Sequence, residues 1–168
     1  MTTTLSFGFP PISTPNAEIL VLGSLPGRKS LDRSEYYAHP QNTFWKIMAT
    51  HVGAIPDDYA GRVKLLVERK VALWDVLAAA TRSGSLDADI GEDAIPNNFR
   101  AFFHSHTGIR LICFNGGTAA ELYRKHVLAT LSEQQRATEL QTLPSTSPAH
   151  ASITLAQKVA RWAPVWGA

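Results

Sequence analysis

Polar and glycine residues gather where apolar segments of the chain end. Gly23-Ser-Leu-Pro-Gly27 follows the apolar run that starts at Glu18, and its glycines let the backbone approach a ligand closely. No Lys-Ser or Lys-Thr pair follows Gly27, so the segment lacks the phosphate-binding pattern of a P-loop. A structural turn explains such a segment as well, and it becomes informative only together with its neighbours.

Aromatic rings, an imidazole and an amide are concentrated in the next segment, Tyr36-Tyr-Ala-His-Pro-Gln-Asn-Thr-Phe-Trp45. Rings placed this densely before a helix are typical of a pocket that stacks on a nucleobase. The alternatives are that Phe44 and Trp45 belong to the hydrophobic core and that Asn42 caps the helix. The segment therefore indicates base binding with a purely structural alternative.

Later strand ends carry further chemistry. Asp75 ends a buried apolar run, where a carboxylate can read the edge of a base, bind water or cap the next helix. Asn115 follows another such run. The last run is followed by Pro144-Ser-Thr-Ser-Pro-Ala-His150, and hydroxyls on a proline-stiffened loop suit DNA phosphates. A plain surface turn is the alternative for that loop.

The elements that position these residues alternate along the chain. Short apolar runs predict buried strands, and apolar residues at three- and four-residue spacing predict helices. Such alternation favours an α/β fold: a mostly parallel four-stranded sheet flanked by helices in three layers, which binds ligands beyond the carboxyl ends of its strands. The predicted strands are 18–23, 71–75, 109–114 and 139–143, and the predicted helices are 44–51, 59–67, 97–104, 119–131 and 154–162.

Length and composition bound the class of protein. The 168 residues suffice for a single domain, preceded by a short arm over residues 1–15. A net charge of +2 requires any nucleic-acid surface to be local. The lone Cys113 excludes an internal disulfide and predicts a buried thiol. No secretion signal or membrane-length apolar run is present, which favours a cytoplasmic protein with no membrane association.

In combination, these segments resemble one family. Gly23-Ser-Leu-Pro-Gly27 followed by His39-Pro-Gln-Asn-Thr-Phe-Trp45 is similar to the first motif region of mismatch-specific and hypoxanthine-DNA glycosylases, in the uracil-DNA glycosylase superfamily. Ala72-Leu-Trp-Asp-Val76 and Phe114-Asn-Gly-Gly117 resemble the later strand ends of that family, and the 143–150 loop resembles its minor-groove loop. The resemblance spans residues 19 to 150 and implies a uracil-DNA glycosylase-like fold.

One departure separates the branches of the family. The mismatch-specific branch has an asparagine in the first motif, whereas this chain has Ser24 there and lacks that water-positioning amide. The hypoxanthine branch also lacks it and assigns catalysis to the asparagine of its His-Pro-x-Asn segment, which is Asn42 here. The resemblance therefore implies a hypoxanthine-DNA glycosylase of base-excision repair.

Roles for individual residues follow from the resemblance and from the chemistry of cleaving an N-glycosidic bond. Asn42 and Ser24 are the catalytic candidates, with Asn42 positioning water. The base-binding candidates are Gly23, Leu25, Tyr37, Phe44, Asp75 and Asn115. The candidate DNA contacts are Arg28, Lys29, Ser145, Thr146, Ser147 and His150, with Lys158 and Arg161 as further phosphate contacts.

We expect a monofunctional hydrolase that acts on DNA containing a deaminated base, as a monomer and without a metal or cofactor. Only Lys29 lies near enough to the first motif to suggest a Schiff-base lyase. Uracil and xanthine remain open as substrates beside hypoxanthine. The alternatives are a mismatch-specific uracil-DNA glycosylase, a nucleoside hydrolase and a damaged-DNA binder without catalysis.

Overall fold

The computed structural model describes residues 5–167. Its strands are β1 (Leu5–Phe7), β2 (Ile19–Gly23), β3 (Val71–Asp75), β4 (Leu77–Thr81), β5 (Ile95–Pro96), β6 (Leu111–Asn115) and β7 (Glu139–Leu143). Its α-helices are α1 (Arg28–Arg33), α2 (Phe44–Val52), α3 (Tyr59–Glu68), α4 (Phe99–Ser105), α5 (Gly117–His126), α6 (Glu133–Arg136), α7 (Leu155–Arg161) and α8 (Ala163–Trp166).

The central sheet consists of four parallel strands in the order β3-β2-β6-β7. These are the predicted strands, and the predicted fold class is confirmed. Because all four strands run in one direction, their carboxyl ends meet along a single edge. Gly23 pairs with Asp75 in the register of β2 and β3, and Asn115 pairs with Leu143 in that of β6 and β7. This edge therefore carries the residues singled out in the sequence.

Apolar side chains fill both faces of the central sheet. Along β2, Leu20 and Leu22 point into one core and Ile19 and Val21 into the other, as the two-residue period of a strand requires. The first core includes the aromatic residues of α4, and the second includes those of α2 and α8 together with Trp162, which lies between α7 and α8. Cys113 is buried in the second core, so the predicted buried thiol is confirmed, and burial raises the pKa of the thiol to about 12.

A second, antiparallel sheet was not predicted. It has the order β1-β4-β5, and β1 lies within the segment that the sequence suggested was only an arm. Residues 1–4 of that arm fall outside the described part of the chain. Since β4 follows β3 after one residue, this small sheet extends from the edge where the candidate site residues lie.

Several helix boundaries differ from prediction. Pro96 belongs to β5, and α4 starts after Asn98, whose side chain accepts a hydrogen bond from the Ala101 N–H at 3.1 Å. Helix α5 ends at His126 because a 3-10 turn, Leu128–Thr130, interrupts the predicted longer helix. Among residues 5–167, no helix is long and apolar enough to cross a membrane.

Candidate active site

A cavity of about 570 Å³ opens at the carboxyl edge of the central sheet. The first-motif loop, the tyrosine pair and the loop after β7 contribute to its lining. The predicted site residues in its lining are Gly23, Ser24, Leu25, Arg28, Lys29, Tyr37, Asn42, Asp75, Asn115, Ser145, Thr146, Ser147 and His150. The predicted residues Phe44, Lys158 and Arg161 do not line the cavity.

Asp75 is a buried carboxyl group whose ionisation is strongly altered by its surroundings in this cavity. Its side chain is 4% exposed, and its Oδ2 has no hydrogen-bond partner within residues 5–167. Burial raises the pKa of Asp75 to about 7; the carboxylate of Asp87 adds to this rise, and the guanidinium of Arg82 opposes it. Near neutral pH this carboxyl group therefore exists in both its neutral and its ionised form.

Gly23 is required by the position of Asp75. A Cβ atom on Gly23 would lie 2.5 Å from Asp75 Oδ1, far inside van der Waals contact. The absence of a side chain at the end of β2 thus allows the carboxyl group at the end of β3 to lie against the backbone. The sequence predicted Gly23 as a site residue, and the structure assigns it this steric role.

Tyr37 forms an aromatic wall of the cavity. Its backbone has φ +55°, in the left-handed region that non-glycine residues seldom adopt. Its ring stacks on Phe44 with centroids 4.3 Å apart. Its buried hydroxyl makes no hydrogen bond of normal geometry within residues 5–167, although the amide of Asn115 lies near enough to favour the ionised phenol slightly. Burial nevertheless raises the pKa of Tyr37 above its usual range, so the phenol keeps its proton.

Phe44 does not form the base-stacking face that was predicted for it. Its side chain is 0% exposed and packs edge-on against Trp45 and Trp162, in the core behind Tyr37. The core alternative considered for this residue therefore holds. Tyr37 remains the stacking candidate, and Phe44 supports its ring from behind.

Asn42 combines a structural contact with access to the cavity. Its Oδ1 accepts a hydrogen bond from the backbone N–H of Phe44 at 3.0 Å, which satisfies a free donor at the start of α2. The amide oxygen has a second lone pair and the amide nitrogen has two hydrogens that this contact does not use. Capping and a role toward a bound water are therefore compatible.

Ser24 is paired with an acid that the sequence did not single out. The Ser24 hydroxyl donates a hydrogen bond to Asp87 Oδ1, and both residues line the cavity. Asp87 belongs to a 3-10 turn, Asp87–Asp89, in the connection between β4 and β5. Its segment, Ser83-Gly-Ser-Leu-Asp87, has the composition of an ordinary surface turn, so no local signal marks it.

Arg82 is a second missed residue. It is buried, and its guanidinium donates to the backbone carbonyls of Leu25 and Pro26. It therefore holds the first-motif loop from behind and places a positive charge near Asp75 and Asp87. Arg82 lies between the predicted strand 71–75 and the predicted helix 97–104, where an isolated arginine is normally solvated, so its residue type alone did not reveal this role.

The loop after β7 is held by its own buried groups. Thr146 donates its N–H to Asn115 Oδ1 at 2.9 Å and accepts at its Oγ1 from Asn115 Nδ2 at 2.9 Å. The Thr146 carbonyl accepts from the Thr43 N–H at 3.0 Å, which joins this loop to the segment carrying Asn42. Thr146 is 1% exposed, so it is not accessible as the phosphate contact that was predicted. Asn115 likewise uses its amide first to hold this loop.

The other residues of this loop are more accessible. Ser145 and Ser147 are half-buried, and each hydroxyl oxygen accepts a backbone N–H two residues onward, which leaves its own proton free to donate. His150 is half-buried as well, and its carbonyl accepts from Lys158 Nζ at 2.7 Å. Lys158 is buried, so it differs from the exposed phosphate contact that was predicted.

Positive charge lies at the rim of the cavity. Arg28 and Lys29, the first residues of α1, are exposed and line the opening. Ammonium and guanidinium groups in this position remain solvated and can reach the phosphates of a strand that enters the cavity.

Comparison with known proteins gives consistent results. The family model described as the uracil DNA glycosylase superfamily matches residues 10–165. A protein named hypoxanthine DNA glycosylase from Methanosarcina acetivorans is 40% identical over 116 residues, which cover 68% of this chain and 73% of that protein. Its namesake from Methanosarcina barkeri is 38% identical with the same coverage.

A solved structure extends the similarity over nearly the whole chain. The solution structure of a Methanosarcina acetivorans protein, described as a candidate uracil DNA glycosylase, aligns with a TM-score of 0.80 and 34% sequence identity. The alignment covers 97% of both chains.

Proposed function

The chain belongs to the uracil DNA glycosylase superfamily, and we propose that it is a monofunctional DNA glycosylase that hydrolyses the bond between hypoxanthine and deoxyribose. One observation carries this proposal: candidates for chemistry, for base binding and for DNA contact line the same cavity. A reaction that breaks one bond in one flipped nucleotide needs all three kinds of residue together.

The cavity suits an extruded nucleotide. Its volume of about 570 Å³ is within the range of small-molecule sites, and its position at the strand ends leaves it open to solvent. Duplex DNA hides the glycosidic bond, so the nucleotide has to rotate out of the stack at a cost of a few kcal/mol. A mispaired deaminated base lowers that cost, which supports a damaged base as the substrate.

Stacking on Tyr37 offsets part of the cost of flipping. A base on an aromatic ring gains ~1–3 kcal/mol. Tyr37 lines the cavity and stacks on the buried Phe44, so its ring is already fixed before a base arrives. We therefore assign the stacking face to Tyr37 with Phe44 as its support.

Asp75 is suited to read a base that carries a carbonyl beside an N–H group. In its neutral form the carboxyl group donates to the carbonyl and accepts from the N–H, whereas its ionised form repels the carbonyl oxygen. The Asp75 Oδ2 atom and the Tyr37 hydroxyl, which have no hydrogen-bond partner among residues 5–167, supply this wall with unused polar atoms. Hypoxanthine and uracil share this edge, and the names of the two relatives favour hypoxanthine.

Hydrolysis needs a water molecule below the sugar and stabilisation of the departing base. The C1′–N bond breaks with its electron pair on the base, and a hydrogen bond from Asp75 stabilises the resulting charge. Asn42 and Ser24 then hold the water whose oxygen bonds to C1′. An amide is a poor base, so Asn42 positions this water and leaves its proton to other groups.

The rest of the cavity would hold the DNA strand. Arg28 and Lys29 at the rim, and Ser145, Ser147 and His150 on the loop after β7, present donors that suit phosphate oxygens. Lys29 is exposed and solvated, which supports phosphate contact over formation of a Schiff base. We also propose that the protein acts as a monomer, and a DNA substrate is consistent with a cytoplasmic location.

A panel of oligonucleotides tests the proposal. Single- and double-stranded DNA carrying one hypoxanthine, uracil, xanthine or normal base is incubated with the protein, and abasic sites are detected by alkali cleavage. We expect the DNA strand to be cleaved at the position of hypoxanthine, and this cleavage to require alkali. We expect no release of base from free inosine. Cleavage confined to uracil would indicate a uracil glycosylase, hydrolysis of inosine would indicate a nucleosidase, and binding without abasic sites would indicate a damaged-DNA binder.

A further inference from the structure

The hydroxyl of Ser24 has a fixed direction in this structure. A serine hydroxyl carries one hydrogen and two lone pairs, and Ser24 commits its hydrogen to Asp87 Oδ1. The side chain is almost buried, yet Ser24 lines the cavity. Toward the cavity, Ser24 can therefore only accept a hydrogen bond, and a water molecule is a suitable donor.

Asp87 approaches the first motif from outside the central sheet. It lies in the connection between β4 and β5, in an exposed turn that lines the cavity beside Ser24. Its negative charge is felt at Asp75, where it is the largest influence after burial, and also at Arg82, which holds the first-motif loop. The carboxylate is thus near enough to the reacting centre to take part in proton transfer.

We propose that Asp87 is a further residue of the hydrolytic site, which orients Ser24 as an acceptor and receives, through it, the proton of the attacking water. This inference rests on the proposed glycosylase function. It identifies the proton acceptor that the first motif and Asn42 do not provide, since neither an amide nor a lone serine hydroxyl is an effective base at neutral pH.

The step balances in atoms and charge. The C1′–N bond breaks and its electron pair leaves with the base, and the oxygen of the water then bonds to C1′. One proton of that water passes to Ser24 Oγ while the hydroxyl proton of Ser24 passes to Asp87. The site returns to its starting state when Asp87 releases this proton to solvent, and the departed base takes up a proton from solvent.

Single-turnover release of hypoxanthine from duplex DNA tests the inference with four variants. We expect Asp87→Ala and Ser24→Ala each to lower the rate on the order of 10²-fold. The double variant should be no slower than the slower single variant, because the two residues act as one unit. Asp87→Asn keeps an acceptor for the Ser24 hydroxyl but cannot take the proton, so we expect it to stay slow as well.

Glu92→Gln is the matched control. Glu92 is exposed in the same connection and lies outside the cavity lining. Glu92→Gln removes the same negative charge as Asp87→Asn, so the rate and DNA affinity of this variant should stay at the wild-type level. Equal rates for Asp87→Ala and Glu92→Gln would overturn the role of Asp87, and a normal rate for Asp87→Asn would overturn proton transfer. If the wild-type protein releases no hypoxanthine, the proposed function fails instead.

Discussion

Two walls of the cavity differ in whether their buried polar groups have hydrogen-bond partners. At the ends of β2 and β3, Asp75 Oδ2 and the Tyr37 hydroxyl are buried without regular hydrogen bonds from residues 5–167. At the end of β6, both ends of the Asn115 amide bind Thr146, whose carbonyl also binds Thr43. Buried polar atoms without partners lower stability, while paired ones are costly to disrupt. The first wall therefore indicates a ligand, and the second wall provides the support.

The largest expected effect is at Asn42, which lines the cavity, and it distinguishes water positioning from helix capping. Asn42→Ser keeps an oxygen that can cap α2 but removes the amide that positions water. We expect base release to fall on the order of 10²-fold while the melting temperature and DNA affinity stay near wild type. Single-turnover kinetics and thermal unfolding check this, and a normal rate would move the water-positioning role to Ser24.

The two roles open to Asn42 also show what the sequence can predict. The parallel strands were predictable because Ile19–Gly23 and Leu111–Asn115 are apolar runs of strand length, and parallel strands place their carboxyl ends together. This rule predicted the part of the cavity lining that follows the strands, including Gly23, Asp75 and Asn115. The roles of residues within it did not follow, because the same asparagine is compatible with a cap and with a catalytic amide.

The rest of the fold depends on contacts between distant segments. Strand β4 is Leu-Ala-Ala-Ala-Thr, a composition with weak strand propensity, and its partner β1 lies more than sixty residues earlier in the chain. The pairing of Ser24 with Asp87 arises from this second sheet, so no local pattern predicts it. Thr146 and Lys158 are polar residues in a loop and a helix, and only tertiary packing buries them.

The second expected effect is a dependence on pH that arises at the unpaired wall. The pKa of Asp75 is raised to about 7, so the carboxyl group is neutral below this pH and loses its proton above it. Base release by the wild type should fall about tenfold from pH 6 to pH 8 as the donor is lost. The charged or titratable groups that act on Asp75 are Asp87, Arg82, Tyr36 and Tyr37.

Asp75→Asn sharpens this prediction. An asparagine presents a donor and an acceptor at every pH, so the fall in rate between pH 6 and pH 8 should disappear in this variant. A pH profile of single-turnover rates on duplex DNA, with Glu92→Gln as the reference for loss of one charge, gives the measurement. An unchanged fall in Asp75→Asn would assign the titration to another group.

The smallest expected effect concerns the exposed part of the supported wall. Ser147→Ala combined with His150→Ala removes donors from the loop but leaves the contacts between Asn115 and Thr146 intact. We expect cleavage of a paired lesion to fall severalfold and cleavage of the same lesion in single-stranded DNA to change little, because flipping costs less there. Equal losses on both substrates would mean that the loop shapes the base pocket itself.

The contrast between the walls is tested most directly by measuring unfolding free energy and base release for Asp75→Ala and Asn115→Ala together. Asp75→Ala should release hypoxanthine on the order of 10²-fold more slowly than the wild type. Its free energy of unfolding should be equal to or greater than that of the wild type. Asn115→Ala leaves the Thr146 N–H unpaired, so it should lose about 1–3 kcal/mol of stability and less than tenfold in rate. A destabilised Asp75→Ala that releases hypoxanthine at the wild-type rate would contradict the account.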